Sequence, residues 1–330
     1  MGDDLLDERT VIAYLAGRGV VDGARARARR LGGGVSNVVL AVDDGSRRLV
    51  LKQARAKLAV AEAWYAPRTR VLREAEGLRV LSGIDPEAAP HVVDLDPEDL
   101  TMTIEQAPDG WTDWKSRLMA GDVDAGIAAR LGGALRRLHS ATRGGSGLSA
   151  ALAADTDTFT VLRVEPYHRT TARRNPDLAR RIAAVADRMS ETRECLVHGD
   201  FSPKNVLVGD PGAWVIDFEV AHLGDPSFDV AFLQTHLLLK AIHAPQWREH
   251  YAAASRAFID SYTAGAPLSD AAHVSQQIGC LLLARVDGKS PAEYLRAHEQ
   301  RRVQALGRTL LIEAPAEPEA AWTLMEQERE

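Results

Sequence analysis

Residues 196–230 read LVHGDFSPKNVLVGDPGAWVIDFEVAHLGDPSFDV and constrain the fold more than any other stretch. Asp200, Asn205, Asp210, Asp217, Glu219, Asp225 and Asp229 are threaded among runs suited to a core, Val206-Leu207-Val208 and Trp214-Val215-Ile216. Buried charge is costly unless it is paired or bound to metal. The two apolar runs are β-prone and flank Gly209-Asp210-Pro211-Gly212, a strong turn signal. An antiparallel hairpin returns the chain to its start, so Asn205 before the first strand lies beside Asp217 after the second. Asp200 sits on the loop leading in, near the same end. One asparagine and two aspartates converge, hard oxygen donors of the kind that hold Mg²⁺ together with phosphate oxygens. Asp210 and Asp225, each followed by proline, read as turn starters instead.

The patterning around this hairpin divides the chain. Upstream it is mixed: an amphipathic helix over 5–16, strand-like runs over 25–31, 36–42 and 47–52, and a helical pattern over 61–82. That last pattern spaces Val71, Leu72, Leu78 and Leu81 along one face. Asp43-Asp44-Gly45-Ser46 is a hairpin turn, and a DPED turn joins short strands over 91–95 and 100–105. From residue 112 helices dominate, over 112–119, 123–140, 177–190, 227–242, 247–263, 270–285, 291–311 and 318–328. The composition changes at QAPDGW (106–111), which sets a boundary between a β-rich N-lobe, 1–106, and a mainly helical C-lobe, 107–330.

The N-lobe holds what a phosphorylated ligand needs. LGGGVSN (31–37) is a glycine-rich turn between strands, where missing side chains let backbone N–H groups approach phosphates, although an ordinary β-turn reads the same way. Lys52 ends the next strand, and Glu74 on the long helix is placed to orient it; Lys57 and Glu76 are rivals for these roles. A net charge of −6 speaks against a general nucleic-acid binder. No apolar run reaches the ~20 residues of a membrane span, and the opening MGDDLLDE does not resemble a signal peptide. Cys195 and Cys280 form no pairing motif and read as reduced thiols, so the expected location is cytoplasmic.

HGDFSPKN together with VIDFE resembles the catalytic signature of the aminoglycoside phosphotransferase and choline kinase superfamily, relatives of the protein kinases. The resemblance runs over most of the chain and implies a bilobal, protein-kinase-like α+β fold, an N-lobe that binds ATP and a C-lobe that binds Mg²⁺ and a small hydroxylated substrate. By resemblance Asp200 is the catalytic base, and Asn205 and Asp217 hold Mg²⁺. Lys52, oriented by Glu74, contacts the α/β-phosphates, Gly33, Gly34 and Ser36 meet the phosphates from the glycine-rich turn, and backbone groups of Glu105 and Ala107 bind adenine. EAWYAPRTRVLREAE and DWKSRLMAGD are similar to the methylthioribose-kinase-like branch. The acceptor implied is a sugar-containing antibiotic or, alternatively, a sugar metabolite. Arg163, Glu165 and Tyr167 from the insert 157–176, Arg285 from the later helices, and Glu219 of VIDFE are the polar candidates to contact it. A monomer or homodimer is expected.

The sequence also departs from protein kinases. Gly199 stands where an arginine normally precedes the catalytic aspartate, and Glu219 replaces the glycine after the Asp-Phe pair. Asp225 and a helix follow Asp217 almost at once, leaving no room for a long activation segment, which favours a small-molecule acceptor. Two other classes stay open on the residues: a metal-dependent phosphohydrolase using His198 and Asp200, and an inactive nucleotide-binding module. Gly288-Lys289-Ser290 imitates a Walker A ending, but Leu283 occupies the first glycine position. His139 reads as a satisfied core histidine, and Trp111 and Trp114 as core or cleft.

Overall fold

The computed structural model describes residues 5–32, 37–55, 67–154, 157–210, 212–268, 270–317 and 320–327. Its first part is an antiparallel sheet of β1 (Arg27–Arg30), β2 (Asn37–Asp43), β3 (Arg48–Ala54), β4 (Val92–Asp96) and β5 (Thr101–Glu105), in the order β1-β2-β3-β5-β4. The predicted turn closes β2 on β3 with Asp43 opposite Arg48. There the Asp44 carboxylate accepts the N–H groups of Ser46 and Arg47.

Strand alternation decides which way the site lysine points. Leu49 and Leu51 join Val38, Leu40 and Val42 against α1 (Val11–Gly17). Val50 and Ala54 belong to the opposite face, in one core with Met102, Ile104 and the helix α2 (Arg70–Ile84). Lys52 shares their parity and is therefore directed at α2.

Two helices start later than their patterns suggested. The Asp7 carboxylate accepts the N–H groups of Arg9 and Thr10, an Asx turn that holds 5–10 out of α1. Pro67 opens a turn ahead of Arg70, so the described part of the long pattern is helical only from 70 to 84; residues 56–66 lie outside the described residues.

The second part is mainly helical. α3 (Trp114–Met119), α4 (Ala125–Ala141), α8 (Ala179–Glu191), α9 (Ser227–His243), α10 (Arg248–Thr263), α11 (Ala271–Asp287) and α12 (Ala297–Glu313) fall close to their predicted places. Pro291 keeps 291–296 irregular, so α12 begins only at 297. A short α5 (Ala150–Ala154) precedes the insert, and α13 (Ala320–Gln327) is the last helix. The insert is itself helical: α6 (Asp157–Phe159) widens into π geometry over Thr160–Arg169 and leaves as α7 (Thr170–Arg174). Pro166 cannot complete an ordinary helical turn, and the wider turn absorbs it.

Within these helices lies the hairpin read from the sequence, β8 (Val206–Gly209) paired with β9 (Gly212–Val215), Val206 facing Val215 and Gly209 facing Gly212. β6 (Thr112–Asp113) adds to β8. β7 (Cys195–Val197) pairs with β10 (His222–Gly224), clamping together the two ends of the loop system that carries Asp200 and Asp217. One hydrophobic core runs from β5 and α2 through Phe218 into α4 and α9, so both parts share an interior.

Candidate active site

The hairpin brings the predicted residues together. The Ile216 N–H donates to the Asn205 carbonyl at 2.9 Å, so Asp217 follows directly beside Asn205. Asn205 Nδ2 donates to the Asp200 carbonyl (3.0 Å) and to Asp200 Oδ2 (2.9 Å), which leaves Asn205 Oδ1 as its atom for a cation. Asp217 has φ of 71°, a backbone conformation that non-glycine residues avoid and that marks functional positions when the surroundings impose it.

Asp200 is 4 % exposed, and its Oδ2 also meets Arg163 Nη2 and Lys204 Nζ, each at 2.9 Å. Burial alone would push this carboxyl up; Arg163, then Lys204, outweigh it and hold it well below the usual carboxylate range. All these donors converge on Oδ2, so Oδ1 is left to face a ligand.

The loop itself is held from below. Asp229, fully buried near the start of α9, accepts the His198 N–H at 2.7 Å and the Gly199 N–H at 2.9 Å, with His139 Nε2 at 3.3 Å from the same carboxylate. His139 is thus a core histidine, as read, but one that touches the support of this loop. Gly199 has φ of +76°, and a Cβ there would stand 2.8 Å from the Val220 carbonyl. No arginine fits, which explains the departure seen in the sequence. The Arg163 side chain supplies the missing guanidinium from the insert, donating through Nε to the Gly199 carbonyl at 2.8 Å. His198 Nδ1 accepts the Asp200 N–H (3.1 Å), which assigns its proton to Nε2, donating to the Ile216 carbonyl (3.0 Å). Both ring nitrogens are used, so His198 offers no metal ligand and the phosphohydrolase reading loses its first residue.

Across the cleft, Lys52 Nζ and Glu74 Oε1 form a close ion pair, both side chains nearly buried. Burial would push the Lys52 ammonium down, but Glu74 and Asp217 outweigh it and raise it. Burial pushes the Glu74 carboxyl up, against the pull of Lys52. The rivals are resolved in part: Glu76 accepts from Ser149 on another face of α2, and Lys57 lies outside the described residues. Gly33, Gly34 and Ser36 also lie outside them. Glu105 ends β5, and among the described residues the Ala107 N–H has no main-chain partner.

The predicted substrate contacts scatter. Arg163, Tyr167 and Arg285 adjoin Asp200: the Arg163 guanidinium lies 5.8 Å from the Tyr167 ring centre, and Arg285 Nη1 is 3.4 Å from the Tyr167 hydroxyl. Glu165 stands apart from these three. It sits on the outer side of the π segment, 41 % of its side chain exposed, paired with Arg169 four residues on. The Glu219 carboxylate is engaged by the buried Arg70 of α2 at 3.1 Å and lies within electrostatic reach of Lys52 and Arg163. Sequence reading assigned no role to Asp229 or Lys204, although both stand inside the quoted motifs.

Trp114 is core, fully buried; Trp111 meets Trp214 at a tilt, ring centres 5.3 Å apart, and lines a groove of about 780 Å³ with Asp85, Arg130 and Arg137, which takes in none of the residues around Asp200. Gly288 follows the C-terminus of α11 and starts no helix, so the Walker A imitation is a turn. Among the described residues no group of three or more His, Cys, Asp or Glu gathers as a metal cluster. An oxygen pair of one carboxylate and one amide suits Mg²⁺, which keeps water and phosphate oxygens as its remaining ligands.

An ion-paired lysine over an acid-and-amide hairpin serves phosphoryl transfer, and the protein is, in class, a kinase-like phosphotransferase of small molecules. The model of the phosphotransferase enzyme family (APH) matches residues 27–268, and the chain belongs to that family. In sequence it is similar to methylthioribose kinase of Bacillus cereus, 24 % identical over 271 residues, covering 73 % of this chain and 68 % of that one. In fold it is similar to an amicoumacin kinase solved with AMP-PNP and Ca²⁺ (TM-score 0.61, 16 % identical, 97 % of each chain). It is also similar to a choline/ethanolamine kinase family protein from Mesorhizobium loti (TM-score 0.58, 18 % identical, 97 % of this chain and 99 % of that one).

Proposed function

We propose that this protein transfers the γ-phosphoryl group of ATP to a hydroxyl of a small polar molecule, with residues 1–106 forming the nucleotide lobe and 107–330 the catalytic lobe. The observation that carries the reading is the convergence of Asp200, Asn205 and Asp217 opposite the Lys52–Glu74 pair. Lys52 steadies the α/β-phosphates, and Glu74 fixes its ammonium. The main-chain groups of Glu105 and Ala107 receive the adenine, and Gly33, Gly34 and Ser36 cover the phosphates. Asn205 Oδ1 and the Asp217 carboxylate hold Mg²⁺, which when bound supplies neutralisation of phosphate charge.

Asp200 Oδ1 accepts a hydrogen bond from the acceptor hydroxyl and aims its oxygen in line with the γ-phosphorus. Because Arg163 and Lys204 keep the carboxylate ionised, it takes the proton late, as the new O–P bond forms. The acceptor is a sugar-type compound. Of the two acceptors expected from the sequence, a sugar metabolite is favoured by the methylthioribose kinases among the relatives, and a sugar-bearing antibiotic by the amicoumacin and spectinomycin kinases among the structural neighbours. A screen of both classes for acceptor-dependent ADP release tests the reading; no release with any hydroxyl compound, from protein that binds Mg-ATP, would favour the inactive module.

A further inference from the structure

Beyond Arg163 and Tyr167, which adjoin Asp200, the C-lobe gathers cations that pair with no carboxylate among the described residues. Arg285 of α11 spends its hydrogen bonds on the Ser290 carbonyl (2.5 Å), the Ser290 hydroxyl (3.0 Å) and the Tyr167 hydroxyl, while its buried Nε has no partner among the described residues. Lys240 of α9 is 1 % exposed, yet its one hydrogen bond runs to the His236 carbonyl at 3.3 Å. The groups that act on its charge are Arg285 and Lys115, both cations. His236 is within electrostatic reach of Lys240, Arg285, Asp200 and Lys204. The Tyr294 hydroxyl, within electrostatic reach of Arg285, is buried without a partner among the described residues.

An ammonium buried among other cations is unstable unless something anionic meets it. The field is strong enough to show on its neighbours. Burial would push the Tyr167 phenol up, but Arg285 and Arg163 outweigh it and pull it below its ordinary value. Burial, then Arg285, pulls the Lys240 ammonium down to about 7. Neither Lys52 nor Asp217 is among the groups that act on Lys240. Lys240 lies about 16 Å along α9 from Asp229 at the ordinary helical rise, whereas Lys52 is governed by Glu74 and Asp217.

We propose that the acceptor carries an anionic group, a carboxylate or a phosphate, which seats between Arg285 and Lys240 while its hydroxyl meets Asp200. This rests on the phosphotransferase reading and names its substrate class: a hydroxy acid or sugar acid, or a phosphorylated polyol. Polycationic acceptors are disfavoured at such a site, because each of their ammonium groups meets like charge.

The test is a titration with the nucleotide site saturated by Mg-ADP, reading thermal stabilisation and calorimetric heat. The probes are inorganic phosphate, gluconate, glucose and kanamycin. Phosphate and gluconate should bind, glucose weakly and kanamycin not at all. Lys240→Met and Arg285→Gln should each weaken gluconate by at least about tenfold and leave Mg-ADP affinity unchanged. Unaltered gluconate affinity in both variants, anion binding that Mg-ADP abolishes, or preferential binding of kanamycin overturns the inference. Loss of the phosphotransferase reading would show separately, as wild-type protein that fails to bind Mg-ADP. Lys240→Met keeps an unbranched apolar stem in a buried site, and Arg285→Gln provides a second variant should either misfold.

Discussion

Asp229→Asn tests whether the loop carrying Asp200 is held from below as the structure shows. The change keeps volume but replaces one acceptor oxygen with an NH₂ group. The carboxylate now takes two backbone N–H groups, from His198 at 2.7 Å and Gly199 at 2.9 Å, one on each oxygen. Asparagine can serve one of them; the other then faces a donor. A hydrogen bond to a charged group contributes ~1.5–3 kcal/mol, and an unmet buried donor costs ~1–3 kcal/mol. The expected loss is therefore ~2–4 kcal/mol, read as a lower urea midpoint with unchanged slope. Turnover should fall further than stability requires, because Asp200 directly follows Gly199. Displacement of a reacting group by about 1 Å costs roughly 10²-fold. Steady-state kinetics should show kcat down by ~10–100-fold with KM for ATP little changed. Wild-type stability together with wild-type kcat would refute the reasoning and shift support of the loop to the Arg163–Gly199 and His198–Ile216 bonds.

Asp200→Asn removes proton acceptance but keeps shape, and should cut turnover by ~10²–10⁴-fold while Mg-ATP still binds by calorimetry. Asp217→Ala should abolish Mg²⁺-dependent nucleotide affinity, checked by titrating ATP with and without the metal. Gly77→Ala sets a Cβ 2.6 Å from Phe218 on the helix that carries Glu74. Overpacking of ~1–3 kcal/mol, offset by ~1 kcal/mol of helix propensity, should leave a small net destabilisation by denaturant titration and a raised KM for ATP. Burial, then Arg285, depresses the folded pKa of the Lys240 ammonium to about 7, against an ordinary 10.5. Its contribution to stability is fully present above 10.5 and is lost as pH falls toward 7, by ~5 kcal/mol in all. Denaturation across that range should show stability rising with pH in the wild type and a flatter profile in Lys240→Met.

The sequence by itself determined the hairpin, and with it the core of the site. A turn of Gly209 to Gly212 between two apolar runs leaves no other register that buries Val206 and Val215 together, so Asn205 and Asp217 had to meet. Lys52 was legible in part: Lys57 stayed a rival in the sequence, and strand alternation fixes the face of Lys52 once Val50 and Ala54 are seen as core. Such features are local: they depend on periods of two and on turn chemistry. The tertiary structure alone decided what lies far apart in the chain. Glu219 and Glu165 looked equivalent as polar candidates, yet one is met by Arg70 of α2 and the other leans to solvent on a helix widened at Pro166. Arg163 could not be read as the partner of Asp200, nor Asp229 as the support of its loop, since neither pairing has a period or a turn to announce it. The cations of α9 and α11 are likewise separated by tens of residues. Burial and charge act through space, and only packing brings Arg285 and Lys240 to one place without a carboxylate between them.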